Sequence, residues 1–499
     1  MLEQARQAIR AGQIQRALAL WEQVSSAAEG AQLLLEHLGV LISLHRYGES
    51  GALREKLLTH PDTTPAPLLS AARILFQYGR IRDAACFTAR ALELDPANPD
   101  TAAMHAAALE RSGRREAARE LLLELLRGQP THLRAVRLLA HIERLDGAFD
   151  AARQRLEAHL SRHPSVEDWR LRYELAAVLD RLGDYEAAMR QLALAKHQIR
   201  SGSQAHHDAW RALATRQWEL TRALDADRLQ RWSVTTGGRP PMPRICLLAG
   251  FPRSGTTLLE QILCAHPGCL GTDETGILAT QFRNPLALAP ASAAAAMDGL
   301  DALDAEQLAA GRAEYLRATE DRVGEALDDR LLIEKEPLLT GDLAVPLRLF
   351  PEAKILMPLR DPRDVVVSFF FTIVPLAPHS VAAAGLPETC RYYAEVLRHW
   401  LWLRDRIDPQ RWMESRYEDL LSRPGVQTRR LCSFLGLEWS PGMLAHHRAA
   451  PGKDIGTPTY DDVSRPLYTR ARGRWENYRR WLEPHLDLLE PYLDAFGYR

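Results

Sequence analysis

The chain has 499 residues, 46% of them hydrophobic, with 63 Lys plus Arg against 64 Asp plus Glu. That length allows two or three domains with sizeable cores, and the near-zero charge balance gives no argument for a nucleic acid or an anionic membrane as partner. No run of 18 uncharged apolar residues occurs, the opening MLEQARQAIRAGQIQRALAL lacks the apolar core of a signal peptide, and the six cysteines show no CxxC spacing; a cytoplasmic protein with buried free thiols, no metal site and no membrane partner is expected.

The first elements are helical and repeated. Between about Ser70 and Lys196, Gly79, Gly113 and Gly147 recur every 34 residues, as do Pro96, Pro130 and Pro164, and Gly183 follows after 36. Weaker copies begin near Gly12 and Gly48. Each unit reads as two antiparallel helices in which Gly ends the first helix, alanines such as Ala117 and Ala151 allow close approach, and Pro starts the next unit. The period resembles a tetratricopeptide array of five or six units over 1–200, an all-α solenoid. Its concave groove suits a peptide or a partner protein; packing on the other domain or self-association is the plainer alternative.

A helical connector and linker are expected over 201–243, ending in the Gly/Pro cluster SVTTGGRPPMP. The period then changes. Arg244–Phe251, RICLLAGF, reads as a buried parallel strand, followed by a Gly-rich loop and the helical TTLLEQILCAHP. The runs RLLIEKEP and AKILMPLRDPRD, each after helical sequence, imply an α/β domain over 244–499 with a parallel sheet and ligands at the carboxyl ends of its strands.

The loop in GFPRSGTTLLEQIL suits a phosphate or sulfate ester, because its backbone N–H groups converge at a helix N-terminus and Arg253, Ser254, Thr256 and Thr257 add donors. Thr256 stands where the ATPase motif needs lysine, which disfavours ATP hydrolysis by a P-loop kinase or ATPase. FPRSGTTLLEQIL closely resembles the 5′-phosphosulfate loop of sulfotransferases, which bind 3′-phosphoadenosine 5′-phosphosulfate (PAPS). The resemblance runs from about Arg244 to Tyr478 and is nearest to the tyrosylprotein type; with the repeats, the whole is similar to bacterial tetratricopeptide sulfotransferases. It implies a P-loop-like domain with PAPS as co-substrate and no metal. Arg253, Ser254, Gly255, Thr256 and Thr257 then hold the phosphosulfate, Arg360 and Ser368 of LRDPRDVVVSFFF the 3′-phosphate, and Tyr417 of SRYEDL the nucleotide. Arg474 of YTRARGRWENY, with Arg470 and Arg472 nearby, matches a basic residue on a loop that closes over the 3′-phosphate.

By the same resemblance Glu274 of TDETGIL is the catalytic base, and Lys335 and Arg253 stabilise charge on the leaving phosphate. Asp273 is expected to cap a helix, His266 to cap or pack, and Lys335 has a plain ion pair with Glu334 or Glu336 as its alternative role. The expected reaction moves a sulfuryl group to an acceptor hydroxyl, first a peptide or protein tyrosine. A phenol, alcohol, sugar or lipid as acceptor, and an inactive nucleotide-binding scaffold, are the competing readings.

Overall fold

The computed structural model describes residues 1–10, 14–27, 30–200, 202–234, 244–373, 377–381, 383–449 and 471–499. Gly12, Arg470 and most of the expected linker, 235–243, lie outside them. Contacts divide the chain into two compact units, Met1–His163 with Glu320–Gly324, and Pro164–Thr319 with Glu325–Arg499.

The first unit is a series of helical hairpins, among them Ala31–Ser43 with Tyr47–Thr59, Pro65–Gln77 with Ile81–Leu94, Pro99–Arg111 with Arg115–Gly128, and Leu133–Leu145 with Phe149–Arg162. Small and branched side chains fill the seams, as where Ala106, Ala118, Leu122, Ala135 and Leu139 form one buried cluster. The turn glycines do one physical job. Gly79, Gly113 and Gly147 have φ of 69°, 82° and 84°, and the residue after each donates its N–H back to the last turn, as Arg114 does to the Leu109 carbonyl at 2.8 Å. Gly183, which turns the hairpin Trp169–Leu182 with Tyr185–Arg200 in the second unit, has φ 81°.

Two details differ from the sequence reading. Gly48 lies inside a helix, and the left-handed residue of that hairpin is His45 at φ 56°, itself 34 residues before Gly79; the Arg46 N–H closes the same bond on Leu41. A buried imidazole, bonded through Nδ1 to the Tyr47 hydroxyl at 3.1 Å, fills the place of the glycine, which hid the repeat from a search for glycines. Pro96 and Pro130 sit in the turns between hairpins, ahead of the helices that begin at Pro99 and Leu133.

In the second unit the hairpin Trp169–Arg200 and the helices Gln204–Arg222 and Ala226–Val234 precede a five-stranded sheet. Its strands are β1 (Ile245–Leu248), β2 (Cys269–Gly271), β3 (Leu331–Lys335), β4 (Lys354–Leu359) and β5 (Trp412–Arg416), in the order β2-β3-β1-β4-β5 and all parallel. The three apolar runs in the sequence are the central strands β3, β1 and β4. The edges β2 and β5 have no such run: CLG is three residues long, and WMESR is mostly half-exposed. Among the described residues no helix is long and apolar enough to cross a membrane.

At Gly113 an added Cβ would meet nothing within 4 Å, so Gly113→Ala isolates the backbone term. It should lower stability by about 1 kcal/mol, read as a lower urea midpoint with an unchanged slope; an unchanged midpoint would count against the left-handed turn.

Candidate active site

All five strands point their carboxyl ends at one region, and chain order has little to do with what meets there. β1 runs into the loop 249–255, β2 into Thr272, Asp273 and Glu274, β3 ends at Lys335, β4 runs into Arg360, and β5 into Tyr417. The strand order reverses beside β1, where an open parallel sheet leaves its crevice.

The loop is shaped by backbone conformation before any side chain acts. Gly250, Arg253 and Gly255 have φ of 143°, 75° and 97°, a left-handed geometry that arginine adopts at a cost of about 1–2 kcal/mol. A Cβ on Gly255 would lie 2.9 Å from the Tyr417 ring, so the glycine lets the ring lie against the backbone. Thr340, fully buried, pins Gly250 from both sides: its Oγ1 accepts the Gly250 N–H at 2.8 Å and donates to the Gly250 carbonyl at 2.7 Å. The following helix is Thr256–Cys264, whose first turn closes from the Leu259 N–H to the Gly255 carbonyl. The N–H groups of Thr256, Thr257 and Leu258 therefore have no acceptor inside the helix. Ser254 Oγ is buried beside them without a hydrogen-bond partner. A buried orphan hydroxyl and helix-end donors around a glycine cradle fit a tetrahedral oxyanion.

On one side of the loop stands Lys335. Its ammonium is wholly buried, 2.7 Å from Asp273, 3.1 Å from Glu274, 3.5 Å from Glu260 and 3.4 Å from the Thr257 hydroxyl. Burial pulls its pKa down, but Asp273, Glu274 and Glu260 outweigh that and hold it well above the ordinary lysine value. Glu334 and Glu336 are not its partners; Glu334 instead accepts the Tyr315 hydroxyl at 2.6 Å. The expected capping role of Asp273 gives way to this ion pair, with Asp273 at φ 55°, while the Thr275 hydroxyl accepts the Ile277 N–H at 3.3 Å. The Glu274 side chain is 37% exposed, the most open of the three carboxylates. His266 only packs, its two ring nitrogens bonded to the Gly268 N–H and the Glu438 carbonyl.

On the other side Pro362 opens the helix Pro362–Phe370, capped by Asp361, and carries Ser368 toward the loop. Arg253 Nε donates to Ser368 Oγ at 3.1 Å, and the Arg253 carbonyl accepts from Arg360 at 3.2 Å. The Arg360 guanidinium lies 5.2 Å from the centre of the Tyr417 ring, its Nε buried without a partner. Arg253, Ser368, Arg360 and Tyr417 thus meet. Arg474 turns elsewhere, to the Asp180 carboxylate at 3.1 Å and the face of Phe371 at 4.3 Å, while Arg472 is exposed.

The sequence reading missed Asp364, Glu260 and Thr340. Asp364 lies four residues after Arg360 on a helix, and a lone glutamate within TTLLEQIL was the visible sign of Glu260; Thr340 left no sign.

Residues 246–441 match the family model described as the sulfotransferase family. That stretch of the chain is similar to the sulfotransferase family. Over 251 residues, 47% of this chain and 63% of the relative, it is 28% identical to protein-tyrosine sulfotransferase 2 of Gallus gallus. An uncharacterized protein of Aquifex aeolicus is 22% identical over 425 residues, 77% of this chain and 53% of that one. The chain therefore spans between half and two thirds of the length of these two relatives. Among solved structures, mouse sulfotransferase SULT7A1 complexed with PAP aligns with 53% of this chain and 89% of its own at 15% identity, with a TM-score of 0.33. The family-model match ends thirty residues before Ala471, so the last segment of the site lies beyond it.

Burial pushes the Glu334 carboxyl up from 4.5 to about 7. Between those values the folded chain keeps a proton that the unfolded chain releases, so this group makes stability fall as pH rises from about 4.5 to about 7. Glu334→Gln should reduce that fall by roughly 1–3 kcal/mol, measured by urea unfolding at pH 5 and pH 8; an unaltered difference between the two would contradict it.

Proposed function

We propose that this chain is a PAPS-dependent sulfotransferase that moves a sulfuryl group to an acceptor hydroxyl, with a peptide or protein tyrosine as acceptor. The observation that carries the reading is the buried Lys335 ammonium, bonded at once to Thr257, in the first turn of the helix after the glycine loop, and to the exposed Glu274. The orphan Ser254 hydroxyl and the glycine cradle suit the 5′-phosphosulfate, and Arg360, Ser368 and Tyr417 suit the 3′-phosphorylated nucleotide. The tyrosine acceptor is supported by the relatives named protein-tyrosine sulfotransferases and by an acidic pair, Asp273 and Glu274, after β2. The helical hairpins, read as a tetratricopeptide-type array, recruit a polypeptide substrate or partner.

PAPS supplies the activated sulfuryl group. Glu274 accepts the proton of the acceptor hydroxyl as its oxygen bonds to sulfur, which matters for a phenol whose free pKa is about 10. As the bond from sulfur to the bridging phosphate oxygen breaks, Lys335 and Arg253 offset the charge left on the phosphate. Glu260 and Asp273 hold the ammonium charged and in place. The loop N–H groups, Ser254 and Thr256 orient the group in transfer, a task of positioning and electrostatics.

Adenosine 3′,5′-bisphosphate at about 100 times its Kd should stabilise the protein by roughly 2.7 kcal/mol, and adenosine 5′-phosphate far less at the same concentration. Thermal unfolding reads this directly, and stabilisation by ATP with Mg²⁺ alone would replace the reading with a kinase. Glu274→Ala should lose at least about a hundredfold in turnover while keeping bisphosphate affinity. Loss of affinity in that variant would make Glu274 a structural residue. Arg360→Ala should abolish the preference for the 3′-phosphorylated nucleotide in a calorimetric titration; a preserved preference would remove Arg360 from that role.

A further inference from the structure

The last helical hairpin, Trp169–Leu182 with Tyr185–Arg200, looks in the sequence like one more copy of the repeat, yet it folds within the same compact unit as the sheet. Its Asp180 carboxylate accepts from Arg474 Nε and Nη2, each at 3.1 Å, and from the Tyr478 hydroxyl at 2.5 Å. Tyr185 of the same hairpin meets the Tyr478 ring edge-on at 5.4 Å. Lys196, almost wholly buried, donates to the Ala383 carbonyl and lies 4.1 Å from the centre of the Phe370 ring, at the end of the helix that carries Ser368.

The segment so held is the one that closes on the Arg360 end of the site. The Ala471 carbonyl accepts from the Arg360 guanidinium, and Asp364, buried four residues after Arg360, accepts the N–H groups of Gly473 at 2.7 Å and Trp475 at 2.8 Å. The Arg363 guanidinium covers the Trp475 ring at 4.0 Å. Asp364 thus grips the backbone of the segment from one side while Asp180 grips its side chains from the other. The gripped segment 471–478 and Asp180 both lie outside the stretch 246–441 matched by the family model, whereas Asp364 lies inside it.

We propose that Asp180 is a positioning residue, which clamps the segment 471–478 shut on Arg360 and Asp364 so that the last hairpin of the repeat series is a working part of the nucleotide site. The inference rests on the reading of Arg360 and Ser368 as the 3′-phosphate end. Under it Arg474 acts as the handle of the clamp, and Asp180 is the carboxylate of the hairpin Trp169–Arg200 that holds it.

The test uses the full chain and calorimetric titration of adenosine 3′,5′-bisphosphate and of adenosine 5′-phosphate. Loss of a charge-assisted bond predicts that Asp180→Ala and Arg474→Ala each raise the bisphosphate Kd about tenfold, with the Kd for adenosine 5′-phosphate unchanged. The double variant should be no weaker than either single one, because both break the same clamp. The Gly473 and Trp475 amides should exchange faster with deuterium in the unliganded Asp180 variant. Asp180→Asn, which keeps the shape and an acceptor oxygen, gives a smaller loss in the same direction and stands in if Asp180→Ala does not fold. Wild-type protein that binds both nucleotides equally would overturn the reading of the site. Wild-type preference that survives intact in the Asp180 variants, tightens in them, or weakens equally for both nucleotides would overturn the clamp alone.

Discussion

The site depends on one ammonium group that water cannot reach. Lys335 ends the central strand β3, and its charge is held in the interior by Asp273 and Glu274 from the end of β2, by Glu260 from the loop helix, and by the Thr257 hydroxyl. An unpaired ammonium there would cost several kcal/mol in lost hydration, so the carboxylates and the lysine fix one another. That mutual requirement joins β3 to the loop helix and the end of β2, more than sixty residues earlier in the chain. It also leaves Glu274 as the carboxylate most open to solvent, held at a set distance from the loop.

The glycine loop is constrained from behind in the same way. Thr340 takes both polar groups of Gly250, Tyr417 lies against Gly255, and Arg253 accepts a left-handed backbone while its side chain and carbonyl reach Ser368 and Arg360. Strain of this kind persists only where the surroundings over-determine the conformation. The donors at the start of the helix Thr256–Cys264 are thereby aimed before any ligand arrives, so little reorganisation remains for binding to supply.

The legible parts of the chain were those whose physics is local. A left-handed turn needs glycine, so a period of glycines announced the hairpins; where His45 took the turn, the announcement failed although the geometry held. A strand buried on both faces needs an apolar run, so β1, β3 and β4 were visible and the short or half-exposed edges β2 and β5 were not. The hydroxyls and arginine of the loop were visible because a phosphate-type loop is a contiguous motif. Thr340, Glu260 and Asp364 act through partners 90, 75 and 109 residues away, and nothing in their own neighbourhoods names those partners.

By itself the sequence determined the helical series, the buried central strands and the chemistry offered by the loop, since period, apolar run and motif each act within a few turns of chain. Only the tertiary structure decided where charge goes. It took Lys335 from its adjacent glutamates to three distant carboxylates, and turned Arg474 to Asp180. It also drew the hairpin Trp169–Arg200 into the unit that holds the sheet. The reason is that a buried or half-buried charge must find its counter-ion wherever the packed chain delivers one, and that address is written in the fold, not in the neighbouring residues.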